Sequence, residues 1–159
     1  MGARNSEAAP EVVDALLAAS RVLVAVAARS LSAAEEEVTL AQYRTLVVLA
    51  SRGPQRVADL ATALAVTPAT ATRMCDRLVH KQLIRRRTER EDRRQVRVAL
   101  TERGRELVDA VTARRRLEIA EIVKRIPVGQ QKVMIEALQR FAESAGEVRE
   151  EDWASGWDL

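Results

Sequence analysis

A chain of 159 residues can bury one hydrophobic core, or one domain with extended arms that need a partner, but it is too short for two full domains. Hydrophobic residues make up 47% of the sequence and aromatic residues only 3%, so we expect a helix-rich protein with a core of Ala, Val and Leu. The net charge is +3, and the single cysteine and single histidine argue against a disulfide framework, a Cys-rich zinc cluster and metal sensing.

The N-terminal part predicts one long helix and one short, well-bounded helix. Residues 1–10 are polar and predict a flexible N-terminus. Residues 11–31 repeat apolar side chains at helical spacing, and the stripe is wider than one small domain needs to cover. After a connector at residues 32–38, Thr39 and Gln42 have the spacing of a capping box, and Gly53 followed by Pro54 ends the second helix.

The middle of the sequence predicts two helices joined by a tight turn. Residues 57–64 form a short scaffold helix, and residues 65–66 form the turn. Thr67 is a good N-cap and Pro68 a good first helical residue, so a further helix is expected over residues 67–81. Its periodicity separates an apolar stripe from a face that carries hydrogen-bond donors. The apolar stripe holds Ala71, Met74, Cys75 and Leu78, and the donor face holds Thr70, Arg73 and Arg77.

Two short β-type runs follow and predict a hairpin over residues 85–99. In the second run Val96, Val98 and Leu100 alternate with Gln95, Arg97 and Ala99, which predicts one buried face. The connecting loop, residues 88–94, consists mainly of charged side chains.

The C-terminal part predicts two more helices and an acidic tail. Thr101 caps a helix that extends to Ile126 and ends at Pro127, and another helix runs from Val128 to about residue 148. Together they carry more apolar surface than a core of about 60 residues can hide, which predicts dimerisation. The tail, residues 149–159, holds both tryptophans, and the sequence leaves open whether it docks on a partner subunit or is disordered.

Positive charge is concentrated in one segment. Residues 56–105 contain thirteen Lys or Arg and six Asp or Glu, a net charge of +7, whereas the rest of the chain carries −4. Clustered arginine on a helix face and a hairpin is typical of a surface that binds a polyanion such as DNA.

Four sequence motifs, in fixed order along the chain, resemble those of one known protein family. V-A-D-L-A, T-P-A-T-A-T-R-M-C-D-R-L, L-I-R-R and D-R-R-Q-V-R-V-A-L-T-E-R-G resemble the MarR family of bacterial transcription regulators over residues 40–104. The resemblance implies a mainly α fold with a small β-hairpin wing. It has a winged helix-turn-helix core at residues 39–100, flanked by dimerisation helices at residues 11–38 and 101–148. It implies a homodimer that acts as a repressor and binds a palindromic operator in double-stranded DNA.

The resemblance also assigns DNA-binding roles. Arg73 is expected to read a base in the major groove, since its fork pairs with guanine, and Arg77 to hold a phosphate or to pair with Asp76. In the wing, Asp92 is expected to brace the loop while Arg94 enters the minor groove. The complete set of expected DNA-binding residues is Thr67, Ala69, Thr70, Thr72, Arg73, Arg77, Arg87, Arg90, Asp92, Arg93 and Arg94.

Two departures from the family pattern concern the turn and the wing. Gln82 stands where most members have a glycine after the recognition helix, a position that usually requires a positive φ. The wing has Glu89 and Arg90 where the usual proline would stand.

Family members commonly release DNA when a small aromatic compound binds near the dimerisation helices. A matching pocket in this chain would use Arg21, Tyr43 and Arg44 as polar contacts. Cys75 lies on the apolar stripe of the recognition helix, which favours an inert thiol over a redox sensor. No cofactor is expected.

Other function classes make different predictions. An enzyme is not expected, because the sequence shows no nucleophile and base pair, no glycine-rich phosphate loop and no metal-ligand cluster. A winged helix that binds another protein would carry apolar anchors on its recognition face, and an architectural DNA-binding protein would have little sequence preference. Without a membrane-spanning run or signal peptide, we expect a cytoplasmic, nucleoid-associated protein.

Overall fold

The computed structural model describes residues 9–34, 37–88 and 96–153 of the chain. In these ranges the chain forms a two-stranded antiparallel hairpin set among α-helices, which confirms the predicted fold class. The helices are α1 (Pro10–Ser32), α2 (Leu40–Arg52), α3 (Val57–Ala63), α4 (Pro68–His80), α5 (Glu102–Val123) and α6 (Val128–Ser144), and the strands are β1 (Ile84–Thr88) and β2 (Val96–Leu100). Within the described ranges, no helix combines the length and the apolar character that crossing a bilayer requires.

Local capping explains where several helices begin. The hydroxyl of Thr39 accepts from the backbone N–H of Gln42, and the Gln42 side chain accepts from the N–H of Thr39, so the predicted capping box is confirmed. Thr67 and Thr101 cap α4 and α5 in the same way, each accepting from the N–H three residues later. These bonds satisfy N–H groups that have no partner inside the helix.

The hydrophobic core lies where α2 meets the helix-turn-helix, the hairpin and the first turns of α5. Leucine and valine dominate it, as the composition predicts. Its fully buried members include Leu46, Leu49, Leu60, Leu78, Leu83, Val98, Val108 and Val111. The core therefore joins the recognition helix and the hairpin into one unit with α2 as the central support.

The hairpin differs from its predicted alternation at two positions. Val98 and Leu100 are buried as expected, but Val96 is 45% exposed and Ala99 only 3% exposed. Val96 lies at the outer end of the strand, away from the core, whereas Ala99 lies where β2 packs against α2 and α5. The backbone of Gln55 also bridges to Val98, so β2 is hydrogen-bonded on both sides.

Both C-terminal helices end earlier than predicted. α5 stops at Val123 rather than Ile126, because the following residues tighten into turns in which the N–H groups of Arg125 and Ile126 bond to the carbonyls of Ile122 and Val123, three residues back. α6 ends at Ser144 rather than near residue 148, because Gly146 adopts a φ of 71° and the N–H of Glu147 bonds back to the carbonyl of Ala142. This closure satisfies a terminal carbonyl and turns the chain sharply.

Three helices expose apolar side chains beyond the core. α6 has no buried residue, although it carries Val133 and Phe141, and Leu117 on α5 is 71% exposed. α1 likewise exposes Val12 and Leu17 while it packs along α5. Isolated exposed apolar residues are normal in proteins, but this set is larger than the scattered exposure of a typical monomer surface.

Candidate nucleic-acid interface

The recognition helix α4 begins at an exposed, hydrogen-bonded cap. The hydroxyl of Thr67 accepts from the N–H of Thr70 at 3.2 Å and donates to the Thr70 hydroxyl at 2.9 Å. Thr70 is half-buried, so it lies at the edge of the exposed face rather than at its centre. Thr67 therefore fixes both the start of the helix and the orientation of Thr70.

The two faces of α4 separate as predicted. Ala71, Cys75 and Leu78 are buried, and Met74 is half-buried against the core. The opposite face is exposed to solvent along the whole helix. It carries Ala69, Thr72, Arg73, Asp76, Arg77 and His80.

The elements behind α4 hold this face outward. α3 packs against α4 through buried Leu60, and the turn between them contains Ala65 at a φ of 52°. From α2, the hydroxyl of fully buried Thr45 lies 2.7 Å from the sulfur of Met74. The recognition helix is therefore supported from two directions.

The strand β1, which carries three arginines, lies beside α4. Arg85, Arg86 and Arg87 are all exposed, and Arg86 forms an ion pair with Asp76 of α4. Asp76 thus pairs with the strand, and the suggested alternative of a pair with Arg77 is wrong, since adjacent helical residues do not face each other. The ion pair ties the hairpin to the recognition helix.

The tip of the wing falls outside the described residues. Arg90, Asp92, Arg93 and Arg94 all belong to the segment 89–95, so their expected roles stay predictions. Arg87 lies at the base of this loop, opposite Arg97 in the strand register. The last strand pair in the described part of the hairpin joins Thr88 and Val96.

The turn after α4 contains the unusual glutamine. Gln82 has a φ of 60°, which confirms that this position requires the left-handed conformation. Its carbonyl accepts from the Thr101 hydroxyl at 2.7 Å, and the carbonyl of Leu83 accepts from the N–H of Thr101 at 3.1 Å. This turn therefore also holds the start of α5.

The lone cysteine is part of the packing of α4. Cys75 is buried, and this burial raises the pKa of its thiol, while the charge of nearby Arg86 lowers it to a smaller degree. A raised pKa keeps the sulfur as a thiol, the less reactive form. This supports the expectation of an inert side chain.

The three residues expected to contact a small ligand lie in different environments. Arg21 is exposed on α1. Tyr43 is buried, with its hydroxyl 3.4 Å from that of Thr112, whereas Arg44 forms an ion pair with Glu147. The contacts of the described residues do not join the three into one site.

Sequence reasoning missed two members of this surface. Arg85 and Arg86 precede Arg87 on an exposed strand, and only the last was expected to bind DNA. The run of three arginines in a β-type segment was the available signal, because successive strand residues supply charge to both faces. Arg85 and Arg86 therefore add positive charge next to the exposed face that carries Arg73 and Arg77, although Arg86 is paired with Asp76.

Relatives of known class match this chain over different lengths. The MarR family model matches residues 38–96. The HTH-type transcriptional repressor NicR of Pseudomonas putida is 32% identical over 113 residues, which cover 70% of this chain and 71% of NicR. YhbI of Bacillus subtilis, an uncharacterized HTH-type transcriptional regulator, is 37% identical over 73 residues, which cover 46% of this chain and 47% of YhbI. The chain therefore spans only about half the length of that relative.

Solved structures share the whole architecture. RV1404 from Mycobacterium tuberculosis is 43% identical with a TM-score of 0.83, covering 91% of this chain and 99% of that one. A mutant of S. aureus MepR bound to an oligodeoxyribonucleotide is 23% identical with a TM-score of 0.60, covering 87% and 99%. MepR bound to ethidium bromide is 22% identical with a TM-score of 0.59, covering 86% and 96%. Because the two MepR structures are less than 25% identical to this chain, they show only that the fold is shared.

Proposed function

The chain belongs to the MarR family of transcription regulators, and on that premise we propose that it is a repressor that binds operator DNA. The observation that carries the proposal is the Arg86–Asp76 ion pair, because it joins an arginine-bearing strand to the exposed face of α4. α4 then enters the major groove while the hairpin follows the adjacent backbone. The oligodeoxyribonucleotide-bound structure of MepR, which has the same fold, supports this arrangement.

Within this proposal, the arginines divide by role. Arg73, in the middle of the exposed face of α4, reads a base edge, and Arg77, one turn later, binds a phosphate. Thr67, Ala69, Thr70 and Thr72 line the same contact. In the wing, Arg94 enters the minor groove and Asp92 braces the loop, while Arg87, Arg90 and Arg93 bind phosphates.

We also propose that the active unit is a homodimer. In this proposal the exposed apolar residues of α1, α5 and α6, among them Leu17, Leu117 and Phe141, supply the dimerisation region. Residues 11–38 and 101–148 supply it, and residues 39–100 form the DNA-binding core. Two copies related by a twofold axis bind an inverted repeat, with half-sites about 34 Å apart.

The decisive experiment measures binding to the DNA upstream of the chain's own gene by fluorescence polarisation, over a range of salt concentrations. The wild-type protein is expected to bind the upstream DNA more tightly than random DNA, and its affinity for DNA should fall steeply as the salt concentration rises. Arg73→Ala should lose discrimination between the two DNAs, whereas Arg94→Ala should weaken both. Arg125→Ala is the matched control, since it removes the same charge in the exposed turn after α5.

Several outcomes would contradict the proposal. Equal affinity for upstream and random DNA would indicate an architectural DNA-binding protein, and no binding to either would favour a winged helix that binds proteins. A loss in Arg73→Ala that is equal for both DNAs would make Arg73 a phosphate contact. Sedimentation that gives a monomer at micromolar concentration would refute the dimer.

Control by a small molecule is a second proposal, supported by the ethidium-bound structure of MepR. Isothermal titration of the protein without DNA is the suitable test, because ethidium also intercalates into DNA. Measurable binding to wild type would support an effector site, and Arg21→Ala, Tyr43→Phe and Arg44→Ala would show whether the expected residues form it.

As a DNA-binding regulator the protein is expected in the cytoplasm with the nucleoid, and no enzymatic activity is proposed.

A further inference from the structure

Helix α6 makes its charged contacts with the winged-helix core through the residues that follow it. α6 itself has no buried residue. Beyond it, Gly146 reverses the chain, and residues 146–153 return along the body of the same subunit. We call residues 146–153 the C-terminal strap.

The strap first attaches to α2 at two points. Both guanidinium nitrogens of Arg44 donate to the carboxylate of Glu147, at 3.1 and 2.7 Å. Arg52 donates to the carbonyl of Gly146 at 3.2 Å. Arg44 and Arg52 are separated by eight residues, so they lie on the same side of α2 about two turns apart. Two arginines of α2 therefore converge on the start of the strap, at Gly146 and Glu147.

The strap then attaches to α5 and to the core. Arg116 donates to Glu150 at 2.8 Å, and Trp153 is half-buried against the hydrophobic core. The indole N–H of Trp153 donates to the carbonyl of Val148 at 3.2 Å, which closes the strap on itself. These contacts hold both ends of the strap against the body.

The contacts differ in strength. An exposed ion pair such as Arg116–Glu150 contributes little by itself. The two-point pair between Arg44 and Glu147 is geometrically specific, and the buried part of the indole adds apolar contact. Glu147 and Trp153 are therefore the residues on which docking depends most.

Helix α2 also touches the recognition helix. Thr45, the residue after Arg44, places its hydroxyl against the sulfur of Met74 on α4. The same helix thus contacts the strap on one side and the recognition helix on the other. Because α2 also contacts the recognition helix α4, a change in how the strap holds α6 to α2 alters the position of α6 relative to the DNA-binding face.

We propose that the C-terminal strap couples the dimerisation helix α6 to the DNA-binding core, and that undocking it weakens operator binding while the dimer stays intact. The proposal rests on the proposed function, since it concerns how two recognition helices are spaced. Docking fixes each core relative to α6, and the α6 helices belong to the proposed dimerisation region. Undocking lets the cores vary in spacing, so fewer molecules match both half-sites at once.

The test uses the full chain with Trp157→Phe, so that Trp153 is the only tryptophan and reports on docking. Glu147→Gln is introduced into this protein to remove the charge that pairs with Arg44. Glu151→Gln is the matched control. It removes the same charge from the strap, but Glu151 pairs with Arg149 of the strap itself and not with α2. Measurements are acrylamide quenching of Trp153, sedimentation, and operator affinity.

Glu147→Gln should expose Trp153 to acrylamide and weaken operator binding about fivefold or more, in the range of typical couplings, with sedimentation unchanged. Glu151→Gln should match the parent protein in all three measurements. The exchange Arg44→Glu with Glu147→Arg should restore part of the protection from quenching and part of the affinity, because the ion pair forms again while the positive charge at position 147 lies near Arg52.

Three results would overturn the inference. The first is a Trp153 that stays protected in Glu147→Gln, the second is an exposed Trp153 with unchanged affinity, and the third is dissociation of the dimer. Failure of the parent protein to bind its upstream DNA would instead overturn the proposed function. That failure is recognised separately, because quenching of Trp153 reports docking in the absence of DNA.

Discussion

Replacing Gly104 by alanine should destabilise the fold through one close backbone approach. Gly104 lies in the first turn of α5, against the turn that follows α4. A Cβ atom there would lie 2.0 Å from the carbonyl oxygen of Leu83 and 3.1 Å from Cδ2 of Leu100. The Leu83 carbonyl is a backbone atom of a fully buried residue, so it cannot rotate aside. The start of α5 must therefore move.

The size of the effect follows from three contributions. Overpacking of this kind costs about 1–3 kcal/mol. Displacing α5 also weakens the bond from the Thr101 N–H to the Leu83 carbonyl, worth about 1 kcal/mol. Alanine offsets about 1 kcal/mol of this through its higher helix propensity. We therefore expect Gly104→Ala to lose about 2 kcal/mol, which lowers Tm by about 4–8 °C.

Thermal and urea unfolding followed by far-UV circular dichroism would measure the change. Gly129→Ala is the matched control, because a Cβ atom on this helical glycine of α6 meets no atom of the chain within 4 Å. It should leave the free energy of unfolding unchanged or raise it slightly. Equal Tm values for the two variants would refute the reasoning about Gly104.

Three further substitutions or conditions test other features. Gln82→Gly should raise the free energy of unfolding by about 0.5–1 kcal/mol, because glycine relieves the left-handed strain at φ 60° but loses more chain entropy, and an equal gain in Gln82→Ala would contradict this. Cys75 should react with iodoacetamide far more slowly in the native protein than in urea, since burial raises its thiol pKa; equal rates would show that the thiol is accessible. Hydrogen bonds from Arg44, together with the charges of Arg44 and Arg52, lower the pKa of Glu147 below its ordinary 4.5, against a smaller opposing effect of burial. Docking of Trp153 should therefore persist at and above that pH and be lost as pH falls through the lowered pKa, with no such transition in Glu147→Gln.

Features set by neighbouring residues were predictable from the sequence. The caps at Thr39, Thr67 and Thr101 depend on side chains and N–H groups within three residues, so their spacing was sufficient. The positive φ of Gln82 was expected from the resemblance to the family, most of whose members have a glycine at this position. The buried stripe of α4 followed from helical periodicity alone.

Features that join distant parts of the chain were not predictable. Arg44 and Glu147 are separated by 103 residues, and nothing near either one indicates the other. The burial of Ala99 likewise depends on α2 and α5, which pack against β2. Such contacts arise from tertiary packing, which a pattern of apolar and polar residues does not encode.

The attachment of α5 to the turn after α4 makes this helix a lever. Its first turn is fixed to Gln82 and Leu83 through Thr101, next to both DNA-binding elements. With 22 residues, α5 is about 33 Å long. A tilt of about 5° around that anchored end therefore displaces the far end by about 3 Å. Conversely, in the proposed dimer a small sliding of the subunits at the far end would rotate each recognition helix, which would release DNA without any local unfolding.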